Sequence, residues 1–210
     1  AVVLVIIGII ISMVSSVVPS LISSAKRAKA IATLEKIDYA LQGYAITNSR
    51  LPYADSGSDG VEDSGVYVGN LPYVSLGLSS GEDDWGSNIK YAVYEDLTTT
   101  TSSDFCSTMS GITDYTDPSK IHITLEGSGQ IVNQSYIIVS SGPKDLDGDS
   151  IDRRFDGLNE GSDLAFDDPD RIEFHGTPVS NQYDDLLRTF ALPTLVQKNC
   201  TGSGGSSGSG

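Results

Sequence analysis

Apolar positions are distributed along the chain in two regimes, first continuous and then periodic. Residues 1–25 carry no charge and are dominated by Val, Ile and Leu. At a rise of roughly 1.5 Å per residue, about twenty such residues span a bilayer as a helix. From 24 to 44 the helical spacing continues but the composition turns polar, with Lys26, Arg27 and Lys29 first and Glu35, Lys36 and Asp38 after them. Ile31, Leu34, Ile37, Leu41 and Ala45 recur at intervals of three and four, so they share one face. The pattern predicts one long helix in two environments, its outer half lying on a folded domain through that stripe. Asn48, Ser49 and Pro52 end it.

Beyond the helix the period changes to two. Residues 88–94 and 120–125 alternate or nearly alternate, and 135–140 is a more continuous apolar run. Three such runs in succession predict an antiparallel meander, and its apolar face needs a cover that the helix stripe supplies. The expectation is an α+β fold, a long N-terminal helix packed on a small antiparallel β-sheet. Residues 1–50 form the helix and 51–200 one globular domain, long enough for its own core. The tail 201–210 holds only Thr, Gly and Ser, and reads as an added flexible linker.

Charge separates the two parts. Residues 1–50 carry five basic and two acidic side chains; the remaining 160 carry eight and twenty-six, a balance of −18. A domain this acidic repels phosphate backbones and anionic lipid, which argues against direct nucleic-acid binding, and it suits divalent cations. Cys106 and Cys200 are the only cysteines. In an acidic, Gly- and Ser-rich domain they are expected to pair, closing a loop of about 95 residues and tying the carboxyl end to the fold, against the alternative of two reduced thiols in a cytosolic protein.

A secretory signal peptide would place a basic segment before a shorter apolar core, and this chain opens on Ala1 with neither Met nor Lys, which reads as a processed or truncated start. The segment Ala1-Val-Val-Leu-Val-Ile-Ile-Gly8-Ile-Ile-Ile, with Pro19 and a polar helical continuation, resembles the N-terminal helix of type IV pilins and type II secretion pseudopilins. In that family a Phe-Thr-Leu-Ile-Glu-Leu-like segment comes first, and this sequence starts just after its equivalent, so the assembly glutamate is not assigned to any residue here. Gly8 matches a family glycine, and Pro19 falls a few residues beyond the usual helix proline. The match covers about thirty residues.

The resemblance implies a lollipop-shaped subunit of a homo-oligomeric helical filament, assembled with other pilin-like subunits after a prepilin peptidase removes a leader. It implies an inner-membrane anchor with a periplasmic domain before assembly, and a cell-surface or periplasm-spanning filament afterwards. Lys26, Arg27 and Lys29 alone would argue the opposite orientation. Glycine costs on the order of 1 kcal/mol and proline about 3 inside a helix, so the stretch between Gly8 and Pro19 is its weak part. It is placed to loosen on assembly, although both residues are also tolerated in membrane helices.

The densest chemical pattern is Ser141-Gly-Pro-Lys-Asp145-Leu-Asp147-Gly-Asp149-Ser-Ile-Asp152. Carboxylates at alternate positions around a glycine let a tight loop aim several oxygens at one centre, as calcium requires; magnesium prefers fewer protein ligands and retained water. An EF-hand does not fit, because no entering helix precedes the loop and Asp156 stands where that loop closes with Glu. The order strand, Ser-Gly-Pro, acidic loop and then Asp167-Asp168 resembles the carboxyl-terminal calcium loop of major pseudopilins, with a longer intervening stretch that includes Arg153 and Arg154. The metal candidates are thus Asp145, Asp147, Asp149, Asp167 and Asp168, against the alternative of a solvated acidic loop. Leu-Pro at 51–52, Leu-Gly-Leu at 76–78 and Asp84-Trp85-Gly86 also resemble a pattern of some pilin-like proteins.

Enzyme motifs are missing. His122 falls in an alternating strand and His175 in a predicted loop, with no His-Glu-x-x-His, Gly-x-Ser-x-Gly or phosphate loop around them. The leading expectation is a non-enzymatic filament subunit stabilised by calcium and a disulfide. A membrane-anchored periplasmic binding module or tip adhesin using loops 51–86 is the alternative, and a membrane-tethered hydrolase a third.

Overall fold

The computed structural model describes residues 2–99, 105–111, 122–125, 129–131, 134–144, 146, 155, 173–175 and 184–200; for residues 2, 4–20, 110, 122–125, 129–131 and 173–175 it describes the backbone alone. Helix α1, Val2–Asn48, is a single 47-residue element. At 1.5 Å per residue it is about 70 Å long. Its backbone stays helical through Gly8 and Pro19. It ends where the sequence predicts, with Ser49 at a left-handed φ of 55° and its amide donating back to the Ala45 carbonyl at 2.9 Å.

The remaining elements are β1 (Val68–Asn70), β2 (Lys90–Val93), a short 3-10 turn at Glu95–Leu97, α2 (Phe105–Gly111), β3 (His122–Leu125), β4 (Gly129–Ile131), β5 (Gln134–Ser140), β6 (Glu173–His175), β7 (Leu186–Ala191) and α3 (Leu192–Cys200). The fold is α+β, and its main sheet has four antiparallel strands in the order β1-β2-β5-β7.

The predicted meander is corrected. The run 88–94 yields β2 and 135–140 yields β5, but these two pair directly, Tyr91 opposite Ile138 and Lys90 opposite Val139. The middle run, β3, belongs to a second sheet of order β4-β3-β6, antiparallel to β4 and parallel to β6. The cause is burial of both faces of β5, every residue of which is buried. Such a strand reads as a continuous apolar run and takes a partner on each edge. The partners β2 and β7 come from either side of it in sequence.

By strand alternation Tyr91, Val93, Tyr136, Ile138, Arg188 and Phe190 share the face turned to α1. Lys90, Ala92, Ile137 and Val139 share the other, where the Lys90 ammonium sits 4.2 Å from the centre of the Phe155 ring. Helix α1 contributes Ala30, Leu34, Ile37, Leu41 and Ala45 to the core, each no more than 3% exposed. Ile31, expected in that stripe, is 43% exposed. Ala30 holds its place, because the i, i+4 row 30, 34, 37, 41, 45 is the one that faces the sheet.

The carboxyl end is fixed covalently. Cys106 in α2 and Cys200 at the end of α3 form the expected disulfide, across a sequence separation of 94. Phe105, Met109, Leu192 and Leu195 from these two helices are buried in the same core as the α1 stripe.

Candidate functional site

Two polar clusters fix how the long helix sits on the domain, and a third holds the root of the acidic segment. The first arises because Asp38 lies on the buried side of α1, one helical turn from Leu34 and Leu41, and is only 2% exposed. A carboxylate there persists only with partners. Tyr136 Oη in β5 donates to its Oδ1 at 2.5 Å, and Arg188 of β7 donates to its Oδ2 from Nε at 3.0 Å and Nη2 at 2.9 Å. Arg188 Nη1 also lies 3.5 Å from Glu35. Burial, reinforced by the hydrogen bond to Asp38, pushes the Tyr136 hydroxyl far above its usual range, so it remains a donor. One turn further along, Lys198 of α3 donates to Gln42 Oε1 at 2.6 Å and stands over the Phe190 ring, which stacks on Tyr136.

The second cluster closes the end of α1. Arg50 donates both terminal nitrogens to Glu62, at 2.7 and 2.6 Å, while Tyr44 Oη donates to the same carboxylate at 2.7 Å and the Tyr53 amide at 3.0 Å. Burial alone would raise the Glu62 pKa, but the Arg50, Tyr44 and Tyr53 hydrogen bonds outweigh it and hold the carboxyl below its usual value. Burial, with the bond to Glu62, pushes Tyr44 up to about 12.

The third lies at the root of the acidic segment. Asp83 is buried, and its Oδ1 accepts the amides of Trp85 and Ser87, both at 2.9 Å, closing the Asp-Trp-Gly turn. Its Oδ2 accepts the hydroxyls of Ser140 at 3.0 Å and Ser141 at 3.1 Å, at the exit of β5. The Gly142 amide donates to Asp185 Oδ1 at 3.3 Å. A Cβ on Gly142 would collide with the Asp184 carboxylate, so only glycine fits this approach. The chain is therefore clamped immediately before Asp145.

Beside this clamp a cleft of about 340 Å³ separates α1 from residues 78–84, lined by Lys29, Lys36, Ile37, Leu78 and Asp84 among others. Lys29 pairs with Asp84. Both signs of charge meet there in a mostly polar lining.

The sequence-derived site residues divide by what the structure describes. Cys106 and Cys200 are joined, and Gly8 and Pro19 lie within continuous helix. Asp145, Asp147, Asp149, Asp167 and Asp168 lie outside the described residues, as does the tail 201–210. Among the described residues no group of three or more His, Cys, Asp or Glu side chains is placed to hold a metal. Among the same residues no helix is long and apolar enough to cross a membrane, and the side chains at 4–20, where the apolar run lies, are outside that description. His122 is in a strand as expected, whereas His175, expected in a loop, ends β6.

Sequence reasoning missed Asp83 and Asp185, which anchor the root of the acidic segment. Asp83 stood next to the quoted Asp84-Trp85-Gly86. The doublet Asp184-Asp185 directly before the apolar run of β7 was a readable signal, since paired carboxylates entering a strand need donors nearby.

Compared with known proteins, the chain matches no family model, no curated protein and no solved structure.

Proposed function

We propose that this chain is a structural subunit of a type IV pilus-like or type II secretion pseudopilus filament, with no catalytic role. The observation that carries the reading is α1: one unbroken 47-residue helix whose described side chains become buried only from Ala30 onward. Among the described side chains the core takes Ala30 to Ala45 from this helix, while Val3 and residues 21–25 of the apolar run are exposed. Eight large apolar side chains are exposed among the described residues, and six of them, Tyr39 and Ile46 included, are on this helix. Exposed apolar surface concentrated on one element fits packing against lipid first and against other copies afterwards.

The polar clusters serve the same end. A helix that transmits load to its domain must not slide on the sheet, and Asp38, Gln42 and Tyr44 lock it within two turns. The Cys106–Cys200 bridge holds the carboxyl end against the same core. In this reading the acidic segment after Gly142 binds calcium through Asp145, Asp147, Asp149, Asp167 and Asp168, relieving repulsion among carboxylates on a loop whose start is already clamped. The partners are further copies and other pilin-like subunits, the inner membrane before assembly, and a prepilin peptidase.

The reading is tested by imaging the purified full chain after detergent removal. It requires filaments that are lost when a charge is placed in the apolar half, as in Ile9→Lys. A membrane-anchored binding module would instead remain dispersed and hold its partner without the helix, and a hydrolase would lose turnover, not assembly, on loss of one carboxylate.

A further inference from the structure

Where the uncharged run of α1 ends, Lys26, Arg27 and Lys29 stand within one helical turn. Lys26 and Lys29 are exposed and Arg27 is half-buried. At about 100° and 1.5 Å per residue the three fan over about 160° of the helix circumference within a rise of about 4.5 Å. Before them Leu21 and Ile22 are exposed, and residues 23–25 are exposed and uncharged. After them Ala30 is the first described side chain of α1 to enter the core. The cations therefore form a collar between the apolar run and the folded domain.

One of the three is tied to the domain, since Lys29 pairs with Asp84 beside the cleft. Among the described residues Lys26 and Arg27 make no ion pair. Their height along the axis is set by the run before them. Residues 1–25 cover about 37 Å as helix, more than the roughly 30 Å of a hydrocarbon core. With that run in lipid, Lys26 and Arg27 stand at the level of the phosphate groups, where long basic side chains settle.

Two kinds of anion could meet them there, a phospholipid headgroup or a carboxylate of a second copy. Height decides between these. A second copy held at the same depth brings its own Lys26 and Arg27 to this level, and like charges repel. The described core of its acidic domain packs on α1 only from Ala30 onward.

We infer that Lys26, Arg27 and Lys29 form a docking collar for anionic phospholipid headgroups, of which phosphatidylglycerol is a simple case. The inference rests on the reading that the apolar run packs in lipid before assembly. Residues 51–210 carry a balance of −18, so the same anionic surface that attracts the collar repels the domain. The two forces act in opposite directions on one helix and hold the domain off the bilayer.

The test reconstitutes the full chain into phosphatidylcholine vesicles carrying a trace of spin-labelled phosphatidylglycerol or, in parallel, of spin-labelled phosphatidylcholine. Electron spin resonance reads the share of each label held at the protein. Phosphatidylglycerol should be favoured about fivefold at low salt, the worth of one cation near a membrane surface. The preference should vanish at about 1 M salt, where screening acts beyond roughly 3 Å. Lys26→Gln/Arg27→Gln should abolish it while leaving Lys29 and Asp84 paired. Lys36→Gln removes a cation about 15 Å further along the axis than Lys26 and should change nothing. Equal holding of both labels overturns the collar and leaves the membrane reading standing, as does a preference that the double variant keeps or that Lys36→Gln also removes. A chain that does not enter the vesicles overturns the membrane reading and the collar with it.

Discussion

Asp38 on the long helix and Arg188 on the last strand, 150 residues apart in sequence, meet at 2.9 Å beneath the helix. Asp38 is nearly fully buried and Arg188 about one-third exposed, so the guanidinium neutralises a charge that water cannot reach. Arg188→Ala should leave that carboxylate with Tyr136 as its remaining partner. The expected cost is about 2–3 kcal/mol in urea unfolding, at or below the lower end for broken buried pairs because Arg188 keeps some solvent. The double variant Asp38→Ala/Arg188→Ala should cost less than the sum of the single ones. Additive losses would show that the two residues do not act as a pair.

The Glu62 clamp gives stability a defined pH dependence. A carboxyl whose folded pKa lies below its usual 4.5 stabilises the fold above that value, and the contribution is lost as pH falls through the folded pKa. Tyr44, raised from 10.0 to about 12, contributes in full below pH 10 and loses its contribution between pH 10 and 12. The stability gap between wild type and Glu62→Gln should therefore close on acidification below about pH 4.5. Tyr44→Phe should remove the alkaline decline. Parallel pH profiles for wild type and both variants would contradict this assignment.

Removing the disulfide should lower the melting temperature without changing the secondary structure seen by circular dichroism at low temperature. A bridge over a separation of 94 residues contributes about 2–5 kcal/mol in the chain-entropy account. The check is a melt of Cys106→Ser/Cys200→Ser beside wild type with and without reductant. Wild type under reductant should match the variant, and an unchanged melting temperature in both would leave α2 and α3 held by packing alone.

Calcium removal should be visible in the same assay. At about 100 times its dissociation constant a ligand that binds only the folded state adds roughly 2.7 kcal/mol, a shift of several degrees for a domain of this size. Chelator should lower the melting temperature, and Asp147→Ala should make it insensitive to calcium. A melt indifferent to calcium in wild type would return the aspartates to a solvated acidic loop.

The helix was the most legible part of this sequence, because an uncharged run followed by a period of 3.6 has few alternative structures. Its end at Asn48 and the pairing of Cys106 with Cys200 follow from stop signals and cysteine count. The strands 88–94 and 135–140 were readable as strands but not as neighbours. Strand pairing depends on which faces are buried, and the burial of Ile137, Ile138 and Val139 on both sides is a tertiary fact. Ala30 displaced Ile31 from the core for the same reason, since a shift of one position turns a side chain by about 100° and periodicity alone leaves that choice open. The strand β7 was not anticipated, because Leu-Leu-Arg-Thr-Phe-Ala carries its arginine on the face turned to α1, where Asp38 makes it acceptable. Polar residues that the core needs in pairs look, singly, like loop residues.

The measurement closest to the central claim is the fraction of full-length chain that sediments after detergent removal, in wild type and in Ile9→Lys, with the pellet imaged by electron microscopy. The account predicts that most wild-type protein pellets as uniform helical filaments, while the variant stays in the supernatant with its melting transition intact. Wild type that remains dispersed, or a charged helix that leaves filaments unaffected, would contradict a filament built on α1.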